Sequence, residues 1–234
     1  MMIDTIFFNL FAAHVIGDFY LQSDRLCKQK LDRGVRSWFL YVHVILIGLL
    51  SWIVVPEWNF RYCVFYIVLS HLIIDLGKKY SGAGFGPFVI DQILHILVLW
   101  AVTVFYVPEH ALLITNMSET IQAILLFTLS FLLCGKPANI FIKLILKKYS
   151  IGISKNCEEI KNAGALIGNL ERMLTVIFVV IGQYEAIGFV IAAKSLLRFK
   201  DTDTAKTEYV LAGTFLSFGI ALGLGLFVKS ALPV

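Results

Sequence analysis

"AHVIGDFYLQSD" (residues 13–24) closes an apolar run that opens with "MMIDTIFFNLF" at residue 1. The run has the length and greasiness of a membrane helix, yet it carries His14 and Asp18, four residues apart and therefore on one helix face. Hydrocarbon is a poor solvent for both side chains. If the run is a membrane helix, other helices must supply partners, and the chain can be searched for them.

Composition supports the membrane reading. Of 234 residues, 59% are hydrophobic and 15% are charged, and the mean hydropathy is +0.82. A soluble domain carries about 25% charged residues. One globular core cannot hide this much apolar surface, and several runs reach the ~20 residues that cross a bilayer. The net charge of +4 does not point to nucleic acid, because the basic residues lie between the apolar runs, where they read as a topology signal. Cys27, Cys63, Cys134 and Cys157 are scattered, with no C-x-x-C pair, so neither a disulfide framework nor a zinc ribbon is indicated. The first run lacks a basic leader and flows into a charged loop, which reads as a retained helix, not a cleavable signal peptide.

The predicted architecture is an all-α polytopic bundle in a single integral membrane domain over residues 1–234. Eight membrane helices are expected near 4–22, 38–56, 61–77, 87–107, 116–134, 165–182, 185–199 and 208–228. The first five (within 1–134) carry the His and Asp residues, and the last three lie within 165–234. The seventh is short enough to be re-entrant. Between the two groups, 135–164 is a cytoplasmic segment. There Pro137 opens a helix whose Ile140, Ile142, Leu144 and Ile145 alternate with Lys143, Lys147 and Lys148, the pattern of an amphipathic surface helix. Loop 23–37, Lys78 with Lys79, segment 135–164 and Arg198 with Lys200 and Lys206 hold most of the basic residues. That asymmetry puts them in the cytoplasm and both termini outside. "SGAGFGP" (81–87) lacks the Lys and the flanking strand of a phosphate loop and reads as a hairpin.

Three i,i+4 pairs then stand out: His14/Asp18 on the first helix, His71/Asp75 on the third and Asp91/His95 on the fourth, with His43 alone on the second. The first and third helices run towards the cytoplasm and read His then Asp; the fourth runs back and reads Asp then His. In all three the aspartate is therefore nearer the cytoplasm, and the histidine about 6 Å deeper. Imidazole and carboxylate at one depth suit a divalent ion, with zinc or manganese the expected cofactor. His14, Asp18, His43, His71, Asp75, Asp91 and His95 are the candidate metal ligands. Asp18, Asp75 and Asp91 double as candidate catalytic carboxylates. His–Asp hydrogen bonds gluing helices together are the plainer alternative. Gln22, Ser23 and Gln92 are candidates to hold a ligand in position.

In the second half, Glu171 and Arg172 on the sixth helix cannot share a face, and each needs a partner elsewhere. Lys194 or Arg198 on the seventh can answer Glu171. Arg172, Lys194 and Arg198, with Glu171, form the candidate substrate-binding set for an anionic head. Gly219 and Gly223 on the eighth are spaced for close helix contact.

"HVIGDFYLQSD", "SHLIIDLGKK", "DQILHI", "GKPANIFIK" and "NLERMLTVIFVVIGQYEAIGFVIAAKSLLRFK" together resemble the bacterial multi-spanning membrane family catalogued as domain of unknown function 3307, over nearly the whole chain. The resemblance implies an integral protein of the bacterial inner membrane and brings no reaction with it. The paired His/Asp residues are also similar in style to membrane-bound metal-dependent hydrolases, an analogy between motifs. The first functional expectation is metal-assisted hydrolysis of a lipid-linked or phosphorylated small molecule, with membrane lipid as the surroundings and no nucleic acid as partner. The second is transport of a metal ion or a proton-coupled solute, and the third a non-catalytic membrane partner.

Overall fold

The structure, a computed structural model, describes residues 2–82, 84–110, 119–151, 163–198 and 204–232, and among these every regular element is a helix. In chain order they are α1 (Met2–Val15, continued by a wider π turn over Ile16–Tyr20), α2 (Asp24–Arg33), α3 (Trp38–Val54), α4 (Arg61–Ser81), α5 (Phe85–His110), α6 (Glu119–Cys134), α7 (Lys136–Lys148), α8 (Ala163–Val180), α9 (Tyr184–Arg198) and α10 (Thr204–Ala231).

Each of the eight apolar segments expected to be helical contains a helix among the described residues, but the expected count of eight membrane spans is not supported. Four helical stretches are long and apolar enough to cross a membrane among the described residues: Trp58–Lys78, Phe85–Tyr106, Thr207–Ala231 and Thr120–Lys148, in which α6 runs on into α7, the helix expected on the membrane surface. A fifth is reached only if Asp24–Arg36 and Trp38–Val54, bent by 105°, count as one. The physical reason is length. The regular helices α1, α3, α8 and α9 run 14, 17, 18 and 15 residues. At 1.5 Å per residue α1 and α9 fall short of the ~20 residues a bilayer core needs, and α3 and α8 lie at the short end of what can span one. A second correction falls within loop 23–37: residues 24–33 are helix, not loop. Ser23 opens it in extended geometry, its Oγ accepting from the Leu26 N–H at 3.4 Å, the ordinary work of an N-cap serine.

The helices divide into two compact units, Met1–Leu125 and Leu126–Val234. In the first, α1, α3, α4 and α5 pack together in layers one helical turn apart. Leu10, Ile47, Ile67 and Leu99, each 0–3% exposed, belong to its apolar core with Ile6, Val55, Phe60 and Tyr106. One turn from that layer, on the same four helices, stand His14, His43, His71 and His95, and one turn further Phe39, Asp18, Asp75 and Asp91. The outward faces are the reverse: Ile45, Leu49 and Ile53 on α3, Phe65 and Ile73 on α4, and Leu97, Trp100 and Phe105 on α5 are exposed. A polar centre inside an apolar exterior is suited to hydrocarbon surroundings, since a water-soluble fold rarely shows so large an apolar patch.

In the second unit α8 packs along α10, with Val176, Val179, Ala221 and Phe218 buried between them and their neighbours. The close approach is at Gly225, and not at Gly219 or Gly223. A Cβ on Gly225 would lie 2.7 Å from Val179 Cβ, whereas one on Gly219 or Gly223 would meet nothing within 4 Å. Val179 is branched at the contact and cannot swing away. We therefore expect Gly225→Ala to lower stability by about 1–3 kcal/mol through overpacking, and Gly223→Ala to leave it unchanged or slightly raised. Thermal unfolding of both variants in detergent checks this.

Candidate metal centre in the first unit

The seven residues singled out by the i,i+4 spacing converge. His14, His43, His71, His95, Asp75 and Asp91 are all 5% exposed or less, and the Asp18 side chain is 8% exposed. α1 brings His14 and Asp18, α4 His71 and Asp75, and α5 Asp91 and His95; the unpaired His43 of α3 stands in the middle. Between His14 and Asp18 lies Gly17, buried against α3, where a Cβ would run into the side chain of Ile47. Glycine lets α1 press onto α3 at the level where the site forms.

Four donor atoms form a tight set. His43 Nε2 is 3.1 Å from Asp18 Oδ1 and 3.1 Å from His71 Nε2. His71 Nε2 is 3.3 Å from Asp18 Oδ1. Asp75 Oδ2 is 3.7 Å from both imidazole nitrogens. On the other side of Asp18, Oδ2 faces His14 Nε2 at 3.8 Å. The His14 and His95 rings stack at 5.0 Å, and His71 and His95 lie 4.2 Å apart. Three groups of residues bring one ligand atom each within 4.8 Å of one another: His14, Asp18 and His71; His43, His71 and Asp75; Asp18, Asp91 and His95. A small cavity, with room for about one water, is bordered by His14, His71 and His95 on the polar side and by Ile47, Ile67 and Leu99 on the apolar side.

Two lysines complete the cluster. Lys30, 5% exposed on α2, places Nζ 2.6 Å from Asp75 Oδ2 and donates to Gln22 Oε1 at 3.0 Å. Lys78 on α4 places Nζ 2.7 Å from Asp91 Oδ2, which also accepts from Gln92 Nε2 at 3.0 Å. The sequence reading counted both lysines only as topology signals. The available signal for Lys78 was its spacing, three residues after Asp75 on the same helix. For Lys30 it was the Ser23 cap, which implies a helix and so a fixed direction for its side chain. Gln22 and Gln92 do contact cluster members, as expected of holding groups, whereas Ser23 caps α2.

The anion-binding set read from the second half is used within the second unit. Glu171 Oε2 accepts from Lys194 Nζ at 2.5 Å. Arg172, 2% exposed, donates to Cys134 O at 2.6 Å, Ser217 Oγ at 2.8 Å, Asn139 Oδ1 at 2.6 Å and Asn169 Oδ1 at 2.7 Å. The side chain of Arg198 lies outside the described residues.

A family model described as "Protein of unknown function (DUF3307)" matches residues 6–128. That is more than half of the chain, and the chain belongs to this family. The match holds all seven residues of the cluster and stops before "GKPANIFIK". No curated protein and no solved structure matches the chain.

Removing one partner of a buried ion pair strands the other charge, which costs about 3–5 kcal/mol, while removing both costs far less. Lys30→Met is therefore expected to destabilise the protein by about that amount, and Lys30→Met/Asp75→Asn to recover more than half of the loss. Denaturant unfolding of the two singles and the double in micelles reads the coupling; additive losses would mean that the pair contributes nothing.

Proposed function

We propose that this member of the DUF3307 family is an integral membrane protein holding a divalent metal ion between α1, α3 and α4, on His43 Nε2, His71 Nε2, Asp18 Oδ1 and Asp75 Oδ2. The observation that carries the reading is the spacing of those four atoms, 3.1–3.7 Å over the five separations measured. A tetrahedral ion with bonds of about 2.0–2.1 Å holds its donors about 3.3–3.4 Å apart. Helix-gluing hydrogen bonds explain the cluster less well. One Asp18 oxygen faces two imidazole nitrogens that also face each other, and two Nε2 atoms 3.1 Å apart need a shared proton or a shared cation. Lys30 keeps Asp75 charged from outside the donor set, as a supporting partner does for a metal carboxylate.

The reaction class we infer is hydrolysis of a phosphorylated or lipid-linked substrate reached from the cytoplasmic leaflet. The ion would supply a water of lowered pKa as nucleophile. The water would lose one proton and attack phosphorus, the ester P–O bond would break, and the leaving oxygen would take up a proton. Against transport stands the buried layer of Leu10, Ile47, Ile67 and Leu99 directly behind the histidines, with Phe60 and Tyr106 beyond it, because a transport path needs polar access from both sides. The basic loops favour the bacterial inner membrane, with the aspartate side facing the cytoplasm.

Elemental analysis of detergent-purified protein tests the metal. Wild type is expected to carry at least one equivalent of zinc or manganese, and His71→Ala to carry at least one equivalent less. Absence of metal from wild-type protein, as purified and after incubation with either ion, sinks the reading.

A further inference from the structure

We infer that the cluster is built for two ions, with a second site on His14 Nε2, His95 Nε2 and Asp91, and Asp18 bridging. This rests on the reading of the first ion and deepens it.

The first four donors leave three of the seven side chains unexplained, and each of these three holds a buried atom with no hydrogen bond, as His43 Nδ1 and Asp75 Oδ1 of the first set also do. His14 Nε2, His95 Nε2 and Asp91 Oδ1 are buried and make no hydrogen bond among the described residues. His95 is the most telling. Its Nδ1 lies 2.8 Å from the Asp91 backbone carbonyl, one turn back on α5. A carbonyl only accepts, so Nδ1 carries the proton and Nε2 presents a bare lone pair. A backbone carbonyl fixing the far nitrogen is the usual support of a metal-ligating imidazole. A buried lone pair with no donor is otherwise a net cost.

The geometry agrees. Asp18, Asp91 and His95 bring ligand atoms within 4.8 Å of one another, and so do Asp18, His14 and His71. Asp18 is common to both groups. Its Oδ1 faces His43 and His71, and its Oδ2 faces His14 at 3.8 Å. One carboxylate with an oxygen turned to each side is the bridging arrangement of two-metal sites, whose ions lie about 3.5–4 Å apart. The small cavity is lined by His14, His71 and His95, imidazoles of both proposed sites. The supports repeat as well: Lys30 holds Asp75 through Oδ2, Lys78 and Gln92 hold Asp91 through Oδ2, and in both residues Oδ1 is buried without a hydrogen bond.

Charge then gives the substrate class. Three aspartates against two lysines leave the empty cluster with a small net negative charge; two divalent ions turn it strongly positive. A loaded centre of that sign, deep in an apolar bundle, takes an anion, and a phosphate ester can span both ions through two of its oxygens.

Titration of the metal-free wild-type protein with Mn2+, followed by metal analysis and electron paramagnetic resonance, tests this. We expect two ions per chain, and an isolated-ion signal at the first equivalent that converts to a spin-coupled one at the second. His95→Gln is expected to bind one ion and to keep the isolated signal. Inorganic phosphate should perturb the coupled signal of the wild type and not the signal of the variant. Saturation of wild type at one uncoupled ion overturns the second site and leaves the first standing; no binding at all removes both. Two coupled ions in His95→Gln overturn the assignment of His95. The wild-type titration decides the stoichiometry even if the variant misfolds.

Discussion

A carboxylate buried among apolar helices stays charged only if a cation or several donors meet it. The first unit buries three carboxylates in one layer, and much of its construction follows from that. Asp75 is met by Lys30, Asp91 by Lys78 and Gln92, and Asp18 by three histidines. Lys30 comes from α2, which turns by 105° away from α3. A straight continuation would carry Lys30 along the α3 axis and away from Asp75. The turn, the Ser23 cap and the burial of Lys30 are thus one device for delivering a positive charge to a bundle centre.

Much of the site was legible because a helix has a fixed period. Residues four apart share a face, and reversal of His-then-Asp to Asp-then-His between α4 and α5 compensates for reversal of the chain. That relation placed three pairs at one depth with no knowledge of how the helices pack. What the period cannot give is the neighbour across a helix interface. His43 had no pair in its own helix, and only packing shows it at the centre of the cluster, between Asp18, His71 and Asp75. Lys30 was hidden for a different reason: in a segment of alternating polar and basic residues it looks like every other topology lysine, and its meaning depends on the bend that follows.

The number of spans illustrates a limit of hydropathy. Apolar character is a property of a window, and α1, α3, α8 and α9 have it. Length along one axis is a property of the folded helix. The α2–α3 bend and the break at Gly182, where φ is +77°, each stop a helix before a membrane's width is covered. The second unit shows the same limit for side chains. Arg172 reads as an anion-binding residue from its depth alone. In the structure its guanidinium meets a carbonyl, a serine and two asparagines, a set of neutral acceptors that ties α6, α7, α8 and α10 together.

The layering of the first unit also bears on the chemistry available to it. Apolar side chains close one side of the histidine layer, and aspartates with their lysines form the other. An ion arriving from the aspartate side would meet hard oxygen donors first, exchange its water for them, and reach the imidazoles only afterwards. Carboxylates suit manganese as well as magnesium and calcium, whereas imidazoles suit zinc, so a mixed set sorts ions by its balance of oxygen and nitrogen. The same order protects the site in the other direction. With leucine and isoleucine behind the imidazoles, the proposed metal-bound water would meet a reacting partner only from the aspartate side, and a substrate of the proposed kind would present its anionic end there. An amphiphile lying in the adjacent leaflet, headgroup towards the basic loops, would present that end without leaving the membrane.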